Sequence, residues 1–443
     1  MQEKKIKFTD VLFVGLAFFA SYFGAGNLIF PPMLGLQSGS NWLSGMIGML
    51  ASGVGLPILA IIVLGMCGSV QKISDHVNKK FYTVMIGAIM ILCCCVSIPR
   101  TAAVGIEMGL QGIWPGAPYL IFVILYFVIA FLFAKDRGTA LDKVGKILTP
   151  IMTIILFILV VKGAVSPIGT PGAASVDNAF VNSFLGGYST GDVLVSFLAA
   201  GVFFDSIKRK GYEGEAFRKA HVRACLIAAV CLAIVYGGLL YMGACVSTEY
   251  TPDSISNANL LLAIIRSSGG QIAIYGLCLS VVLACLTTAI GIGSTGASVI
   301  NEVSKGRISY KLWMGIACVV GAVFGSFGIQ NIINYVTPIF LIMYPICIVL
   351  TVLGLVDKWI PNDGVYKLGV AAAGIVSVGD AILAVAPNLD GLRKVMYMIP
   401  LAEQGFSWLI PTVIAMVIGG IVYRGKPRYN YGEMAVATEE AAK

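Results

Sequence analysis

Residues 21 to 32 read Ser-Tyr-Phe-Gly-Ala-Gly-Asn-Leu-Ile-Phe-Pro-Pro and lie inside the first hydrophobic stretch of the chain. Glycine is a poor helix former, and proline lacks the N–H that the helical hydrogen-bond ladder needs. In lipid, a broken helix is tolerated only where protein or a water-filled cavity covers the break. In secondary transporters, such a break commonly forms the binding site. The stretch therefore predicts a membrane helix that is interrupted at a functional site.

The composition indicates an integral membrane protein. Of the 443 residues, 58% are hydrophobic and 12% are charged, whereas soluble domains carry about 25% charged residues. The net charge of +8 does not require a nucleic-acid partner, because membrane proteins concentrate Lys and Arg in cytoplasmic loops. The 11 cysteines lie mostly in apolar stretches without zinc-type spacing, which predicts small packing residues.

Hydrophobic stretches of about 20 residues predict an all-α protein with twelve transmembrane helices. We place these spans at 10–35, 42–66, 80–99, 117–134, 145–164, 191–207, 222–246, 270–300, 311–328, 330–355, 366–386 and 401–423. The longest outer loop is predicted over 165–190. Of the 30 Lys and Arg residues, the outer side holds only Arg100, Lys162, Arg266, Arg393 and Lys394. This bias predicts that both termini are cytoplasmic.

The sixth span is the predicted partner of the first. It follows the first by an odd number of spans, so it enters the membrane from the opposite side. Ala199, Ala200 and Gly201 form a weak helix breaker in its middle. Matched interrupted helices in two five-span halves are the signature of inverted-repeat carriers. The sequence therefore predicts that the first and sixth helices are both discontinuous.

The eighth span carries a second polar cluster, Ala284-Cys285-Leu286-Thr287-Thr288. Together with a carbonyl three residues back, the two hydroxyls can converge on a hard cation such as Na⁺. Alternatively, Thr287 and Thr288 bond back to carbonyls of the preceding turn, as threonine in membrane helices often does. The spacing leaves both interpretations open.

Three further charged residues lie in or near predicted spans. Arg100 and Glu107 are a candidate extracellular gate pair near the outer end of the third span, or alternatively an interfacial ion pair. Asp380 in the eleventh span is costly to bury, and we favour a hydrogen-bonded structural role over a proton relay. The sequence offers no catalytic triad, phosphate loop or metal cluster, so we predict neither enzymatic activity nor a cofactor.

Three motifs carry a resemblance to a known family. Residues 24–39 (Gly-Ala-Gly-Asn-Leu-Ile-Phe-Pro-Pro-Met-Leu-Gly-Leu-Gln-Ser-Gly), Pro99-Arg-Thr-Ala and 400–412 (Pro-Leu-Ala-Glu-Gln-Gly-Phe-Ser-Trp-Leu-Ile-Pro-Thr) closely resemble the bacterial branched-chain amino acid:cation symporters. The resemblance covers essentially the whole chain. It implies uptake of leucine, isoleucine and valine across the bacterial cytoplasmic membrane, driven by Na⁺ or, in some members, by protons.

The resemblance also implies the leucine-transporter fold, a ten-helix core of two inverted five-helix repeats, here followed by two helices. Within a single membrane domain over 1–443, we assign the repeats to 8–164 and 190–355. The two further helices fall in 366–423 and a cytoplasmic tail in 424–443.

The fold resemblance implies roles for particular residues. In sodium-coupled amino acid transporters, backbone N–H groups at the unwound first helix hold the substrate carboxylate. The matching substrate-binding residues here are Gly24, Ala25, Gly26 and Asn27, with Ala199, Ala200 and Gly201 from the sixth span. A Na⁺ site takes the carbonyls of Ala20 and Phe23 and a pattern that Ala284-x-x-Thr287-Thr288 matches, with Thr for Ser. We predict one cation rather than two, because the seventh span offers no Asn for a second site.

Other functions remain as alternatives. A carrier of the same fold could take another amino acid or a nucleobase, or could couple to protons. A channel would show a polar stripe along several helices, and a sensor would carry a soluble output domain; the sequence indicates neither. The expected partners are the substrates, Na⁺ and the lipid bilayer, without nucleic acid or an obligate protein partner.

Overall fold

The computed structural model describes residues 6–135, 153–163, 165–426 and 428, and within these residues every regular element is helical. The helices in chain order are α1 (Phe8–Tyr22), α2 (Ala25–Ser38), α3 (Trp42–Leu50), α4 (Leu56–Cys67), α5 (Val70–Asp75), α6 (Phe81–Leu92), α7 (Ile98–Val104), α8 (Tyr119–Ala134), α9 (Thr153–Gly163), α10 (Ala179–Tyr188), α11 (Asp192–Lys208), α12 (Gly214–Ala244), α13 (Asn257–Val303), α14 (Tyr310–Gly325), α15 (Ile329–Leu355), α16 (Gly364–Val385), α17 (Asp390–Tyr397) and α18 (Leu409–Val422). The predicted all-α class is confirmed.

Six helical stretches of the described chain are long and apolar enough to cross a membrane. They are Ala25–Cys67, Phe81–Leu110, Gly214–Ala244, Gly269–Val303, Thr337–Leu355 and Gly364–Val385. The pair α10 and α11, bent by 42°, is a seventh if it is one span. Each of the twelve predicted spans overlaps a helix in its described part. The protein is therefore a multi-pass membrane protein, while the count of twelve, the inverted repeat and the side on which the termini lie stay predictions.

Several helices present large apolar side chains outward. On α18 these are Val413, Ile414, Val417, Ile418 and Ile421, all more than 45% exposed. In water such a contiguous face would be a docking or aggregation surface. On a membrane-crossing helix it is the face that lipid covers.

The chain divides into two compact units. The first comprises Met1–Ile58 and Ile89–Thr337, and the second Leu59–Ala88 and Pro338–Lys443. The predicted repeats thus fall largely in the first unit, and the predicted helices over 366–423 fall in the second. Of the predicted tail over 424–443, residues 427 and 429–443 lie outside the described residues.

Small residues allow close helix packing inside each unit. In the first unit, a Cβ on Gly35 of α2 would overlap the Leu240 carbonyl of α12, and one on Gly243 would overlap the Pro32 carbonyl. In the second unit, Gly364 of α16 meets the backbone of Gly419 of α18 in the same way. Membrane helices use small residues for such backbone approach, because lipid supplies no hydrophobic drive between helices.

The first helix is interrupted where the sequence predicts, but the prolines do not end it. Helix α2 continues through Pro31 and Pro32, so the break lies at Phe23 and Gly24. Each of the two prolines lacks the N–H that would bond the carbonyl four residues earlier, and the other hydrogen bonds of the helix remain.

The predicted position of the second break is wrong. Ala199, Ala200 and Gly201 lie inside the continuous helix α11, and the break falls between Tyr188 and Asp192. Alanine is the best helix former, and one glycine costs only about 1 kcal/mol, which packing readily offsets. The predicted outer loop over 165–190 therefore contains a helix, α10, which lies before the break.

Candidate functional site at two helix breaks

The first helix break occupies Phe23 and Gly24. Helix α1 ends at Tyr22 and α2 begins at Ala25, with extended backbone between them. The Gly24 N–H donates to the Asn27 side-chain oxygen at 3.3 Å. The last carbonyls of α1 and the first N–H groups of α2 lack partners within their own helices. The break thus places hydrogen-bonding groups and the positive end of the α2 dipole at one point.

The second break connects α10 to α11. Gly191 has a φ of 83°, in the left-handed region that glycine adopts without strain. The Thr190 hydroxyl donates to the Gly187 carbonyl at 2.8 Å and so satisfies the end of α10. Asp192 is the first residue of α11, where the positive end of a helix dipole stabilises a carboxylate.

Arg100 lies against both breaks. It is on α7, a short helix with a π turn on each side, and each π turn shifts the helix face that follows. Its guanidinium donates to the carbonyl oxygens of Ser189, at 2.6 Å, and Thr190, at 3.0 Å. A Cβ on Gly26 would lie 2.7 Å from the Arg100 Nη2 atom. The side chain is therefore buried between the two interrupted helices.

Asp192 is the second buried charge at the breaks and is 1% exposed. Its Oδ2 atom accepts hydrogen bonds from the Asn27 amide at 2.7 Å and from the Tyr236 hydroxyl at 2.9 Å. The Asn27 amide also donates to the Tyr236 hydroxyl. One turn further, the Ser196 hydroxyl lies 2.8 Å from the Tyr22 hydroxyl. These contacts join α2, α11 and α12 at the Asp192 carboxylate, and they join α1 to α11 one turn further along α11.

A small cavity of about 20 Å³, room for about one water molecule, lies where the two breaks and α7 meet. Its walls include Gly24, Ala25 and Asn27 from the first break, Thr190 and Asp192 from the second, Arg100 from α7 and Thr288 from α13. Val195 and Ile292 add apolar surface. The cavity therefore combines backbone polar groups, two opposite charges and an aliphatic wall, and it lies entirely within the first compact unit.

The predicted cation-site residues meet at the first break. Thr288 Oγ1 lies 3.4 Å from the Phe23 carbonyl oxygen. Thr287 donates to the Ala284 carbonyl at 2.9 Å, as the back-bonding interpretation requires, although its hydroxyl oxygen keeps lone pairs. Ala20 lies in the last turn of α1, where carbonyls lack helical partners. The structure brings α1 and α13 together here, and Na⁺ binding stays a prediction.

The two members of the candidate gate pair have different partners. Glu107 accepts a hydrogen bond from the Ile329 N–H at 2.8 Å, and within the described residues it forms no hydrogen bond or ion pair with Arg100. Arg100 is 4% exposed, which argues against the interfacial alternative. The gate role itself stays a prediction.

Two other predicted features lie away from the break. The substrate role of Ala199, Ala200 and Gly201 stays a prediction, but the described cavity takes its residues from the sixth span at Thr190, Asp192 and Val195. Asp380 accepts a hydrogen bond from Ser407, consistent with the structural role that we favour.

Comparison with known proteins gives the family. The model of the family described as "Branched-chain amino acid transport protein" matches residues 7–426. The chain belongs to this family. It is 32% identical over 425 residues to the branched-chain amino acid permease BraB of Bacillus subtilis (strain 168), covering 93% of this chain and 95% of the relative. It is 30% identical over 438 residues to the branched-chain amino acid permease BrnQ of Escherichia coli (strain K12), covering 96% and 98%.

Members of the branched-chain amino acid transport protein family are transporters rather than enzymes. Among solved structures, the chain resembles MHP1, a nucleobase-cation-symport-1 family transporter in a closed conformation with bromovinylhydantoin bound. The TM-score is 0.58 at 13% identity, covering 96% of this chain and 95% of that one. At this identity the likeness shows the fold alone, which is that of the leucine-transporter class.

Neither Asp192 nor Tyr236 stands out in the sequence as a site residue. Because the sixth span is predicted to begin at residue 191, Asp192 resembles any acidic residue in the first turn of a helix. The available signal is the run Ser189-Thr190-Gly191-Asp192, since such clusters mark turns. Recognising the helix that precedes this run, α10, from the sequence would have identified the turn as an interruption within a membrane span.

Proposed function

We propose that this protein is a secondary carrier that imports branched-chain amino acids together with Na⁺ by alternating access. The observation that carries the proposal is the meeting of two interrupted helices at one cavity lined by Arg100 and Asp192. Unsatisfied backbone groups inside a membrane protein need polar partners, and in carriers the substrate and its coupling ion supply them.

The groups around the cavity suit an aliphatic amino acid, which a volume of about 20 Å³ admits only once the surrounding helices move apart. The N–H groups at the start of α2, beside the Arg100 guanidinium, suit a carboxylate. Val195 and Ile292 suit an aliphatic side chain. Burial contributes about 0.8 kcal/mol per methylene, so we expect valine to bind somewhat more weakly than leucine or isoleucine. The names of the relatives support this substrate class.

Sodium coupling is supported by the approach of α13 to the first break. A cation held by the Phe23 carbonyl and the Thr288 hydroxyl would tie α13 to the end of α1. If the carrier opens by separating these elements, ion and substrate favour the same closed state, and each raises the affinity of the other.

The test is transport by purified protein in proteoliposomes. We expect an imposed Na⁺ gradient, but not a proton gradient, to drive accumulation of labelled leucine. Isoleucine and valine should compete, whereas lysine and glutamate should not. Preloaded unlabelled leucine should accelerate entry of labelled leucine, because a carrier exchanges substrate and a channel does not. Absence of leucine uptake under both gradients would overturn the proposal.

Proton coupling is the second candidate, and the Asp192 carboxylate in the cavity favours it, because a carboxyl group can carry a proton. In that case a proton gradient alone should drive leucine uptake. Asp192→Asn should then abolish that dependence while equilibrium binding of leucine persists.

A further inference from the structure

We infer that residues 169–178 form a strap that positions the two helix breaks from a distance. This segment, Gly-Thr-Pro-Gly-Ala-Ala-Ser-Val-Asp-Asn, lies between α9 and α10 and has no regular secondary structure. It ties the end of α2, the end of α12 and the start of α10 to one another. Only the consequence of the strap for leucine binding rests on the proposed function.

The strap is anchored to α2 and α12 through its backbone. The Gly172 N–H donates to the Ser247 hydroxyl oxygen at 2.8 Å, just after α12. The Gly172 carbonyl accepts from the Ser40 N–H at 2.6 Å, and the Ser175 N–H donates to the Gln37 carbonyl at 2.9 Å, both at the end of α2. Connecting segments usually run over the surface and vary in course, whereas bonds to two helix ends fix the course of this one.

Glycines allow the strap to lie against the helix ends. A Cβ on Gly169 would lie 2.7 Å from the Cys245 carbonyl oxygen, and one on Gly39 would lie 2.5 Å from the Gly172 carbonyl oxygen. Gly39 ends α2 with a φ of 47°, in the left-handed region that glycine adopts readily. The sequence at these positions therefore permits direct backbone contact between the strap and the two helices.

The last residue of the strap begins α10. The Asn178 side chain caps this helix by accepting from the Val181 N–H at 3.1 Å. One turn into α10, the Asn182 amide donates to the Gln37 side-chain oxygen at 2.8 Å. Gln37 thus bonds to the strap through its backbone carbonyl and to α10 through its side chain, which joins the end of α2 to the start of α10.

Each tied helix carries a group of the central site. Helix α2 carries Asn27, α12 carries Tyr236, and α10 ends beside the Ser189 carbonyl that bonds to Arg100.

The anchors lie far from these groups along the helices. Helix α2 has 14 residues and α10 has 10, so their lengths are about 20 Å and about 15 Å. The strap holds the ends of α2 and α10 that are remote from the breaks. Because hydrogen-bonded helices are stiff, fixing their remote ends restricts where their other ends meet.

The test compares two insertions of Gly-Ser-Gly-Ser into the same loop. Insertion between Val176 and Asp177 separates the anchors on α2 and α12 from the start of α10. Insertion between Ser166 and Pro167 lengthens the loop equally but precedes every anchor, so it is the matched control. Loop-closure entropy changes by the same small amount in both, and a difference between them therefore reports the anchors.

Backbone hydrogen exchange, measured by mass spectrometry on the purified protein without leucine, reports the breaks. We expect exchange over residues 23–27 and 187–192 to rise several-fold in the first insertion and to stay parental in the control, because local opening becomes easier where the helix ends are held less firmly. Exchange over residues 364–385 is the internal reference, since a general loss of stability would raise it as well. Leucine affinity should fall several-fold in the first insertion alone.

Point variants test the tie at unchanged loop length. Asn182→Leu and Gln37→Met each remove the hydrogen bond between these two side chains. Each should raise exchange at both breaks, by less than the insertion does, and the double variant should be no worse than the stronger single variant. Asn331→Leu removes an amide that bonds to the Phe327 carbonyl of α15's own approach segment and should leave exchange at the breaks unchanged.

Three results would overturn the inference. The first is parental exchange at both breaks in the insertion after Val176. The second is an equal rise in the two insertions, which would mean that loop length matters and anchoring does not. The third is an equal rise over residues 364–385, which would make the strap a general stabilising element. If the first insertion does not fold, parental exchange in both point variants overturns the inference instead.

Failure of the proposed function is distinguishable from these results. A parent protein that neither binds nor takes up leucine would contradict the proposed function, whereas hydrogen exchange at the breaks is measured without ligand and still decides whether the strap positions them.

Discussion

Each compact unit contains a cluster of charged groups, which is buried in the first unit and partly exposed in the second. In the first unit, the central cluster of Arg100, Asp192, Asn27 and Tyr236 lies at two helix breaks and borders a cavity. In the second unit, the His76 cluster of His76, Asp357, Asp363, Tyr366 and Arg428 lies between α5 and α16 and includes the start of the predicted tail.

In the His76 cluster, oppositely charged or titratable side chains contact each other directly. His76 Nδ1 is 2.8 Å from the Asp363 carboxylate, and its ring stacks on Tyr366 with centroids 4.7 Å apart. Tyr366 donates to Asp357 at 2.7 Å, and Arg428 bonds to the same carboxylate. Each carboxylate in this cluster thus faces a potential or permanent cation.

In the central cluster, the described hydrogen bonds of the two charged groups are to neutral groups, and Arg100 and Asp192 also interact electrostatically. Arg100 bonds to backbone carbonyls, and Asp192 bonds to an amide and a hydroxyl. The two clusters therefore differ in what holds the charged groups: backbone carbonyls, an amide and a hydroxyl beside the cavity, and contacts between charged or titratable side chains around His76.

The largest effect should come from closing the first break. Gly26→Val should abolish leucine binding, because the new Cβ would lie 2.7 Å from the Arg100 guanidinium, which is held by two carbonyls. Equilibrium binding of labelled leucine to the purified variant measures this. Gly201→Val is the matched control, since a Cβ on Gly201 has no atom within 4 Å among the described residues. Loss of binding in Gly201→Val but not in Gly26→Val would move the site to the middle of α11.

Leucine affinity should fall less when one of the hydrogen bonds that position the Asp192 carboxylate is removed. Tyr236→Phe removes one hydrogen bond to the carboxylate but keeps the ring, and a hydrogen bond to a charged group contributes about 1.5–3 kcal/mol. We expect leucine affinity to fall roughly tenfold. Tyr188→Phe, another buried tyrosine of the first unit, is the comparison variant. Unchanged affinity in Tyr236→Phe would mean that Asn27 alone positions Asp192.

Variants of the predicted cation site should have a smaller effect on leucine uptake. Thr288→Ala and Thr287→Ala each remove one oxygen ligand, so we expect the Na⁺ concentration for half-maximal leucine uptake to rise several-fold. The rise should be larger for Thr288, which reaches Phe23, than for Thr287, which bonds back to Ala284. Leucine affinity should largely recover at saturating Na⁺. Parental Na⁺ dependence in both variants would show that the two threonines are back-bonded helix residues.

The smallest effect on binding should come from the His76 cluster. Asp363→Asn replaces the carboxylate that contacts His76 at 2.8 Å. We expect a lower melting temperature, equivalent to about 1–2 kcal/mol, with leucine affinity and Na⁺ dependence unchanged. Glu403→Gln removes the same charge from an exposed residue of this unit and should leave the melting temperature unchanged. A loss of leucine affinity in Asp363→Asn would break the distinction between the two clusters.

The two breaks differ in how well the local sequence predicts them. Gly24 and Asn27 are unusual within an apolar stretch, so the first break is evident from composition. The second break depends on Thr190-Gly191, which resembles an ordinary loop when the preceding helix is not recognised. The alanines at 199 and 200 carry a strong helix propensity, and the helix continues through the exposed Gly201 beside them.

The helical membrane class, the family resemblance, the first break and the polar pair Thr287 and Thr288 are all evident from the sequence alone. These follow from hydropathy, helix propensity and motif identity, which are properties of neighbouring residues. Only the tertiary structure decided that Arg100, Asp192 and Tyr236, from three separate helices, meet at the breaks. Their meeting depends on helix packing, π turns and the exact course of two bends across more than 130 residues of chain, and no local pattern encodes such long-range contacts.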